Sequence, residues 1–307
     1  MTARVFIDGA VGTTGLEIVE RLSARPEFEL ILLDDQARKN ADARRDAYHG
    51  ADFAVLCLPD DAAREAVALA QGSAVRIIDA SSAHRVADGW TYGFPEVTGR
   101  SAVAAATHVS NPGCYPTGFI ALLAPLVGKG LLPADWPYVC HAVSGYSGGG
   151  KAMIARFEDD TDIAFRDYGL ALGHKHVPEM ARYAGLAHAP VFAPAVVPAH
   201  RGMVVEVPLH LHLMQGAAPA NALLQCLEQA YAESAVVQVH ADRPDEILLR
   251  RSTGPSDRLD LYVFGAEDGS QARLVAVLDN LGKGASGAAV QNLNLMAGLP
   301  ETAGLQL

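Results

Sequence analysis

The stretch that most restricts the fold is residues 4–15, where Arg4-Val5-Phe6-Ile7-Asp8 runs straight into Gly9-Ala10-Val11-Gly12-Thr13-Thr14-Gly15. A short apolar strand meets a GxxGxxG turn, and Leu16, Val19 and Leu22 then mark one face of a helix. Small residues let the backbone approach a pyrophosphate at a helix N-terminus, where N–H groups and the dipole favour an anion. Glycine turns are common by themselves; the order strand, turn, helix is what a dinucleotide site requires. Gly9, Gly12, Thr13, Thr14 and Gly15 are therefore candidate cofactor contacts.

The alternation continues. Residues 28–33, 51–58 and 75–80 read as strands, and 62–71 as a helix capped by Asp60 or Asp61. Residues 90–96 read as a loop, and 103–109 as a further strand. This pattern predicts an α/β fold whose first domain is a doubly wound parallel sheet. Asp34-Asp35 close the second strand, where an acid contacts the ribose of NAD. Arg38, Lys39, Arg44 and Arg45 follow and would suit the 2′-phosphate of NADP, so this region leaves the two cofactors open. Arg38, and Ser81 at the end of the fourth strand, join the candidate cofactor residues.

Ser110-Asn111-Pro112-Gly113-Cys114-Tyr115-Pro116-Thr117-Gly118 carries the chemistry. Phe119, Leu122, Leu123 and Leu126 lie at helical spacing, and Pro116 fits a first turn because its missing N–H costs nothing there. Cys114 thus falls at a helix N-terminus, which stabilises the nucleophilic thiolate.

Beyond this helix the pattern changes to longer strands over residues 138–143, 191–197, 203–214, 236–240, 259–264 and 272–278, with a helix over 221–233. They predict a second, α+β domain with a largely antiparallel sheet. On the long strand 203–214, His210 and His212 would share one exposed face. Expected boundaries are 1–113 for dinucleotide binding, 114–279 for catalysis and dimerisation, and 280–307 for a C-terminal helix packing back on the first domain.

Four further groups stand out. Ser144-Gly145-Tyr146-Ser147-Gly148-Gly149-Gly150-Lys151 offers hydroxyls, backbone donors and a cation for an oxyanion or phosphate, without Walker spacing. His174-Lys175-His176-Val177-Pro178-Glu179 supplies an imidazole able to serve a reactive thiol as base and then acid. No cysteine or further histidine nearby completes a metal site there. Arg201 offers a guanidinium for a carboxylate, and Asp279–Gly287 brings Asn280 and Lys283 to a donor-rich turn. Ser144, Lys151 and Arg201 are candidate substrate contacts; Asn280 and Lys283 are candidate cofactor contacts.

The net charge of −11 argues against a nucleic-acid surface, and no apolar run is long enough to span a membrane. Cys57, Cys114, Cys140 and Cys226 form no CxxC pair, which fits a reducing, cytoplasmic setting.

Taken together, SNPGCYPTG, the Gly9–Gly15 turn, Tyr92-Gly93-Phe94-Pro95-Glu96, HKHVPE and DNLGKGASGAAVQNLN resemble the short-form N-acetyl-gamma-glutamyl-phosphate reductases over nearly the whole chain. That resemblance implies an NADP(H)-dependent enzyme of arginine biosynthesis acting on a small acyl phosphate, with Cys114 as nucleophile. Of the two imidazoles in HKHVPE, His176 is taken as the acid/base partner of Cys114 and His174 as the fallback. Asp34-Asp35 departs from what a 2′-phosphate pocket calls for. The long strands of the second domain make a homo-oligomer, dimer or tetramer, the expected state. The alternatives are another phosphorylating aldehyde dehydrogenase, such as one acting on aspartyl phosphate, or a non-catalytic dinucleotide sensor.

Overall fold

The computed structural model describes residues 2–307. Two compact units emerge: the chain up to Gly113 with 285–305, and 114–284 with 306–307. Elements are numbered along the chain.

The first unit is built on β1 (Ala3–Asp8), β2 (Phe28–Ile31), β3 (Phe53–Leu56), β4 (Arg76–Asp79), β5 (Thr91–Tyr92) and β6 (His108–Ser110). They form one parallel sheet in the order β2-β1-β3-β4-β6-β5. Its helices are α1 (Thr13–Ser23), α2 (Ala41–His49), α3 (Asp60–Leu69), α4 (Pro95–Thr98), α5 (Arg100–Ala105) and, from the C-terminal segment, α10 (Gly287–Met296). Alternation along β1 feeds both faces. Val5 and Ile7 pack with Ile18, Leu22, Val290 and Leu293, whereas Phe6 packs with Tyr48, Ala63 and Ala66. Covered faces on both sides define a doubly wound sheet.

Three local expectations change, one of them at residues 90–96, which hold β5 and the start of α4 in place of a loop because Thr91 and Tyr92 pair with β6. The apolar run 103–109 is split between the end of α5 and β6. Ala102, Ala104 and Ala105 favour helix, and a short apolar run carries no period that separates helix from strand. The third is the cap of α3. Pro59 holds the cap position without a side-chain bond, and Asp60 instead accepts from Ser82 N at 2.9 Å and from the Ser82 hydroxyl.

The second unit holds β7 (Val139–Gly145), β8 (Arg166–Asp167), β9 (Val191–Val197), β10 (Met203–Leu209), β11 (Val237–His240), β12 (Leu259–Gly265) and β13 (Ala272–Leu278). Their order is β11-β12-β13-β10-β7-β9-β8. Pairings of β12–β13, β13–β10, β10–β7 and β9–β8 are antiparallel, and β11–β12 and β7–β9 are parallel. Its helices are α6 (Cys114–Gly128), α7 (Gly150–Asp159), α8 (Val177–Tyr183) and α9 (Ala220–Tyr231). β10 ends at Leu209, and a 3-10 turn (Leu211–Leu213) follows. His210 and His212 therefore do not share a strand face: His212 Nδ1 lies 2.9 Å from Ser270 O, and His210 Nδ1 lies 3.3 Å from Gln271 Nε2.

α6 lies on β10 and β13 and contacts α8 and α9. Gly118 makes the close approach possible, because a methyl there would lie 2.9 Å from Val205 Cβ and 3.2 Å from Ala276 Cβ. Pro125 sits inside α6 and cannot donate to Ala121 O, the carbonyl four residues back. The Tyr231 hydroxyl supplies that bond at 2.8 Å. On the opposite sheet face Val139, His141, Val191, Pro208 and Arg273 are exposed.

Candidate active site

In the first unit the β1–α1 turn is shaped by glycine. Gly9 has φ +89°, and a methyl on it would lie 2.3 Å from Cys57 O. A methyl on Gly15 would lie 2.3 Å from Gly9 O. The turn is closed by a bond from Gly12 N to Gly9 O at 3.0 Å. Gly12 caps α1 without a side chain, so the helix start at Thr13 and Thr14 is open to an external anion. This cradle fits a dinucleotide pyrophosphate.

After β2, Asp34 Oδ1 accepts from Gln36 N and Ala37 N, which holds its carboxyl below the usual range. Exposed Arg38 pairs with Asp35 through Nε at 2.9 Å. Arg44 is removed from the set of cofactor cations. It is buried, with Nε and Nη2 on Asp8 at 3.1 and 2.9 Å and Nη1 on Glu65 at 3.0 Å. Ser81 is also buried, and its N–H and hydroxyl both donate to Asp79 at 2.8 Å.

In the second unit half-buried Cys114 is the first residue of α6, with Pro116 in the same turn. Next to it, Tyr115 is the hub. Its hydroxyl donates to Ala195 O at 3.2 Å and accepts from Tyr168 at 3.3 Å. Its ring centroid lies 5.1 Å from Phe192, 5.9 Å from His176 and 6.3 Å from His174. Burial pushes the Tyr115 hydroxyl far up, and the adjacent Tyr168 and Cys114 add to this. Tyr168 is pushed up to about 12, chiefly by burial, with Cys114 again contributing. Both phenols stay protonated at neutral pH.

The two imidazoles are 4.7 Å apart and differ in burial. His176 is buried at the start of α8; His174 is half-buried and its Nδ1 accepts from His176 N at 3.2 Å. That bond orients the HKH turn around one inward ring.

Ser144 is buried at the end of β7, donates to Gly145 O at 2.9 Å and stands beside the Tyr115 hydroxyl. Arg201 Nη1 pairs with Asp279 Oδ2 at 2.8 Å. Asn280 spends both ends of its amide inside this unit: Oδ1 accepts from Gly202 N at 2.8 Å and Nδ2 donates to Ser147 Oγ at 2.9 Å. Its side chain is therefore a tie between turns and not a donor held out to a cofactor. Lys283 is buried on a π-helical turn (Gly282–Ser286). Gly284 on that turn lies against the thiol residue, since a methyl on it would stand 2.9 Å from Cys114 Cβ. Lys151 is exposed in the first turn of α7.

Tertiary contacts thus gather Cys114, His174, His176 and Ser144 around Tyr115, and join Arg201 to the Asp279–Asn280 corner. Tyr115, Tyr168, Phe192 and Gly284 were missed by sequence reasoning. Tyr115 and Gly284 lie inside the Ser110–Gly118 and Asp279–Gly287 motifs, whereas nothing in the sequence marks Tyr168 or Phe192.

Two family models match the chain. Residues 4–106 match "Semialdehyde dehydrogenase, NAD binding domain", and 114–280 match "Semialdehyde dehydrogenase, dimerisation domain". The crystal structure of aspartate semialdehyde dehydrogenase II from Vibrio cholerae, complexed with ASA, superposes with a TM-score of 0.73 at 20% identity, covering 96% of this chain and 98% of that one. Fold and thiol-bearing site define a protein of the semialdehyde dehydrogenase class. Within that class, N-acetyl-gamma-glutamyl-phosphate reductase 2 of Nostoc sp. is 48% identical, over 98% of this chain and 99% of its own. N-acetyl-gamma-glutamyl-phosphate reductase 2 of Pseudomonas putida is 50% identical over 97% of each. The chain belongs to the family of N-acetyl-gamma-glutamyl-phosphate reductases.

Proposed function

We propose that this chain reduces N-acetyl-gamma-glutamyl phosphate to N-acetylglutamate semialdehyde, with release of phosphate, as a step of arginine biosynthesis. The observation that carries the reading is Cys114 at the start of α6, with Tyr115 linking it to two imidazoles and Gly284 closed against it.

The Cys114 thiolate attacks the acyl carbon, and N–H groups at the α6 start face the developing oxyanion. Phosphate leaves with the C–O bond and a thioester remains on Cys114. A nicotinamide dinucleotide, NADP(H) in this reading, would supply when bound the hydride that reduces the thioester carbon to a thiohemiacetal. As the thiohemiacetal opens, the C–S bond breaks, the aldehyde leaves and the sulfur is returned as thiolate. His176 takes the thiol proton before attack and gives one back to the departing groups. Ser144, Lys151 and Arg201 hold the phosphate and carboxylate ends of the substrate.

Gly9, Gly12, Thr13, Thr14, Gly15, Arg38 and Ser81 would hold the cofactor, and Lys283 is a further candidate contact. The exposed sheet face of the second unit receives a second copy of the chain. The enzyme works in the cytoplasm, in keeping with four free cysteines.

Assayed in reverse with aldehyde, phosphate and NADP⁺ or NAD⁺, Cys114→Ala should abolish turnover and still bind dinucleotide. Substantial residual turnover would refute the covalent route. His176→Asn should lower kcat far more than His174→Asn; the opposite order would exchange their roles.

A further inference from the structure

Asn111, three residues before Cys114, is buried, and so is Asn292 on α10. Every polar group of Asn111 is used within the first unit. Its N–H donates to Asp79 O at 2.7 Å and its carbonyl accepts from Arg85 Nε at 3.0 Å. Nδ2 donates to Ala285 O at 3.0 Å, and Oδ1 accepts from Asn292 Nδ2 at 3.0 Å. Asn292 Nδ2 donates also to Gly93 O at 2.9 Å. The carbonyls of Gly93 and Ala285 can only accept, so they dictate which way both amides face.

The chain passes from the first unit to the second between Gly113 and Cys114, and returns between Gly284 and Ala285. Each unit holds its own two chain ends together. In the first unit the fastening is Asn111 to Ala285; in the second it is the close approach of Gly284 to Cys114. We propose that Asn111 and Asn292 are positioning residues that set, through Ala285, the offset between Cys114 and the Gly282–Ser286 turn. This rests on the reading of Cys114 as nucleophile. The two amides act through backbone placement; a slip of Ala285 on its turn would move Gly284 along Cys114 and change how the sulfur meets the acyl carbon.

The test uses the full chain with Asn292→Ala, the milder Asn292→Ser, and Asn111→Asp, which loses the donor to Ala285. Asn292→Ala should lower kcat about 10- to 100-fold with KM changed by less than about threefold, because misplacement of a reacting group costs mainly in the chemical step. Iodoacetamide labelling of Cys114 at pH 7 should slow about fivefold or more and its pH midpoint should move, since thiolate fraction follows the local setting. Dinucleotide affinity should hold, and Asn292→Ser should shift the same readings less. A folded Asn292→Ala with wild-type kcat and labelling profile overturns the proposal. Variants that lose only stability, or that never fold, overturn it too, by assigning the pair to stability alone. Cys114→Ala run alongside separates the two readings: if it still turns over, the nucleophile is wrong; if it is dead and Asn292→Ala is unmoved, only the positioning role fails.

Discussion

Replacing Gly284 by alanine is a direct probe of how tightly the π-helical turn is held against the thiol residue. The new methyl would lie 2.9 Å from Cys114 Cβ, 3.4 Å from Cys114 Cα and 3.1 Å from Asp279 O. Carbon pairs are at rest near ~3.5–4.0 Å, so the closest contact is too short by about half an ångström or more. None of the three atoms is the end of a flexible side chain, so relief requires moving backbone. Overpacking of this kind costs about 1–3 kcal/mol. Gly284 is not in the left-handed region, so the substitution also recovers about 0.4–1 kcal/mol by restricting the unfolded chain. The net loss is about 0–2.6 kcal/mol, or up to about 4 °C in melting midpoint for a chain of 307 residues. The functional loss should be larger, since a shift of ~1 Å at a reacting group costs about 100-fold. Turnover should therefore fall about tenfold or more in a protein that is still folded at 25 °C. The assays are steady-state kinetics in the reverse direction, iodoacetamide labelling of Cys114 and thermal melting. Wild-type values in all three would refute the packing argument. Gly282→Ala supplies a scale: a methyl there would lie 1.8 Å from Ser256 O, so it should lose the fold first.

Other expectations follow from single contacts. Tyr231→Phe strips Ala121 O of the donor that Pro125 cannot provide and should cost about 1–3 kcal/mol in denaturant titration. In a Pro125→Ala background, where the helix N–H is restored, the cost should shrink; equal costs in both backgrounds would break the argument. Arg44→Met leaves the buried Asp8 carboxylate beside Tyr48 without its cation and should cost about 3–5 kcal/mol, whereas adding Asp8→Leu should recover much of it. A single-variant loss below ~1 kcal/mol would show that water reaches Asp8. Burial, and then the nearby His84, hold the His108 imidazole below its ordinary 6.5. The unfolded chain then binds this proton more readily, so the contribution is intact above pH 6.5 and is lost as pH falls through the lowered value. His108→Gln should flatten the fall in melting midpoint between about pH 7 and 5, and an unchanged acid limb would reject this origin.

Much was written in local sequence because it depends on backbone geometry within a few residues. The Gly9–Gly15 turn could be read because φ +89° at Gly9 and the approach to Cys57 O exclude a side chain. The thiol turn could be read because Pro-Gly, Cys114 and Pro116 define a helix start whatever packs on it. Residues 100–110 could not: alanine helix and buried strand look alike in so short a run, and only the pairing of β6 with β4 and β5 decided between them. Charge was equally mute. Nothing local distinguishes Arg44 from Arg38, yet one is sealed against Asp8 and the other is exposed.

By itself, then, the sequence determined the alternation that makes the doubly wound sheet, and which reactive side chains exist. The tertiary structure alone decided which imidazole is buried, that Tyr115 and Tyr168 stand beside Cys114, that Asn280 is a tie, and that Gly284 closes on the sulfur-bearing residue. The reason is distance along the chain. Turn and helix signals act over a few residues, whereas Cys114 and Gly284 are brought together only when whole strands and helices have packed.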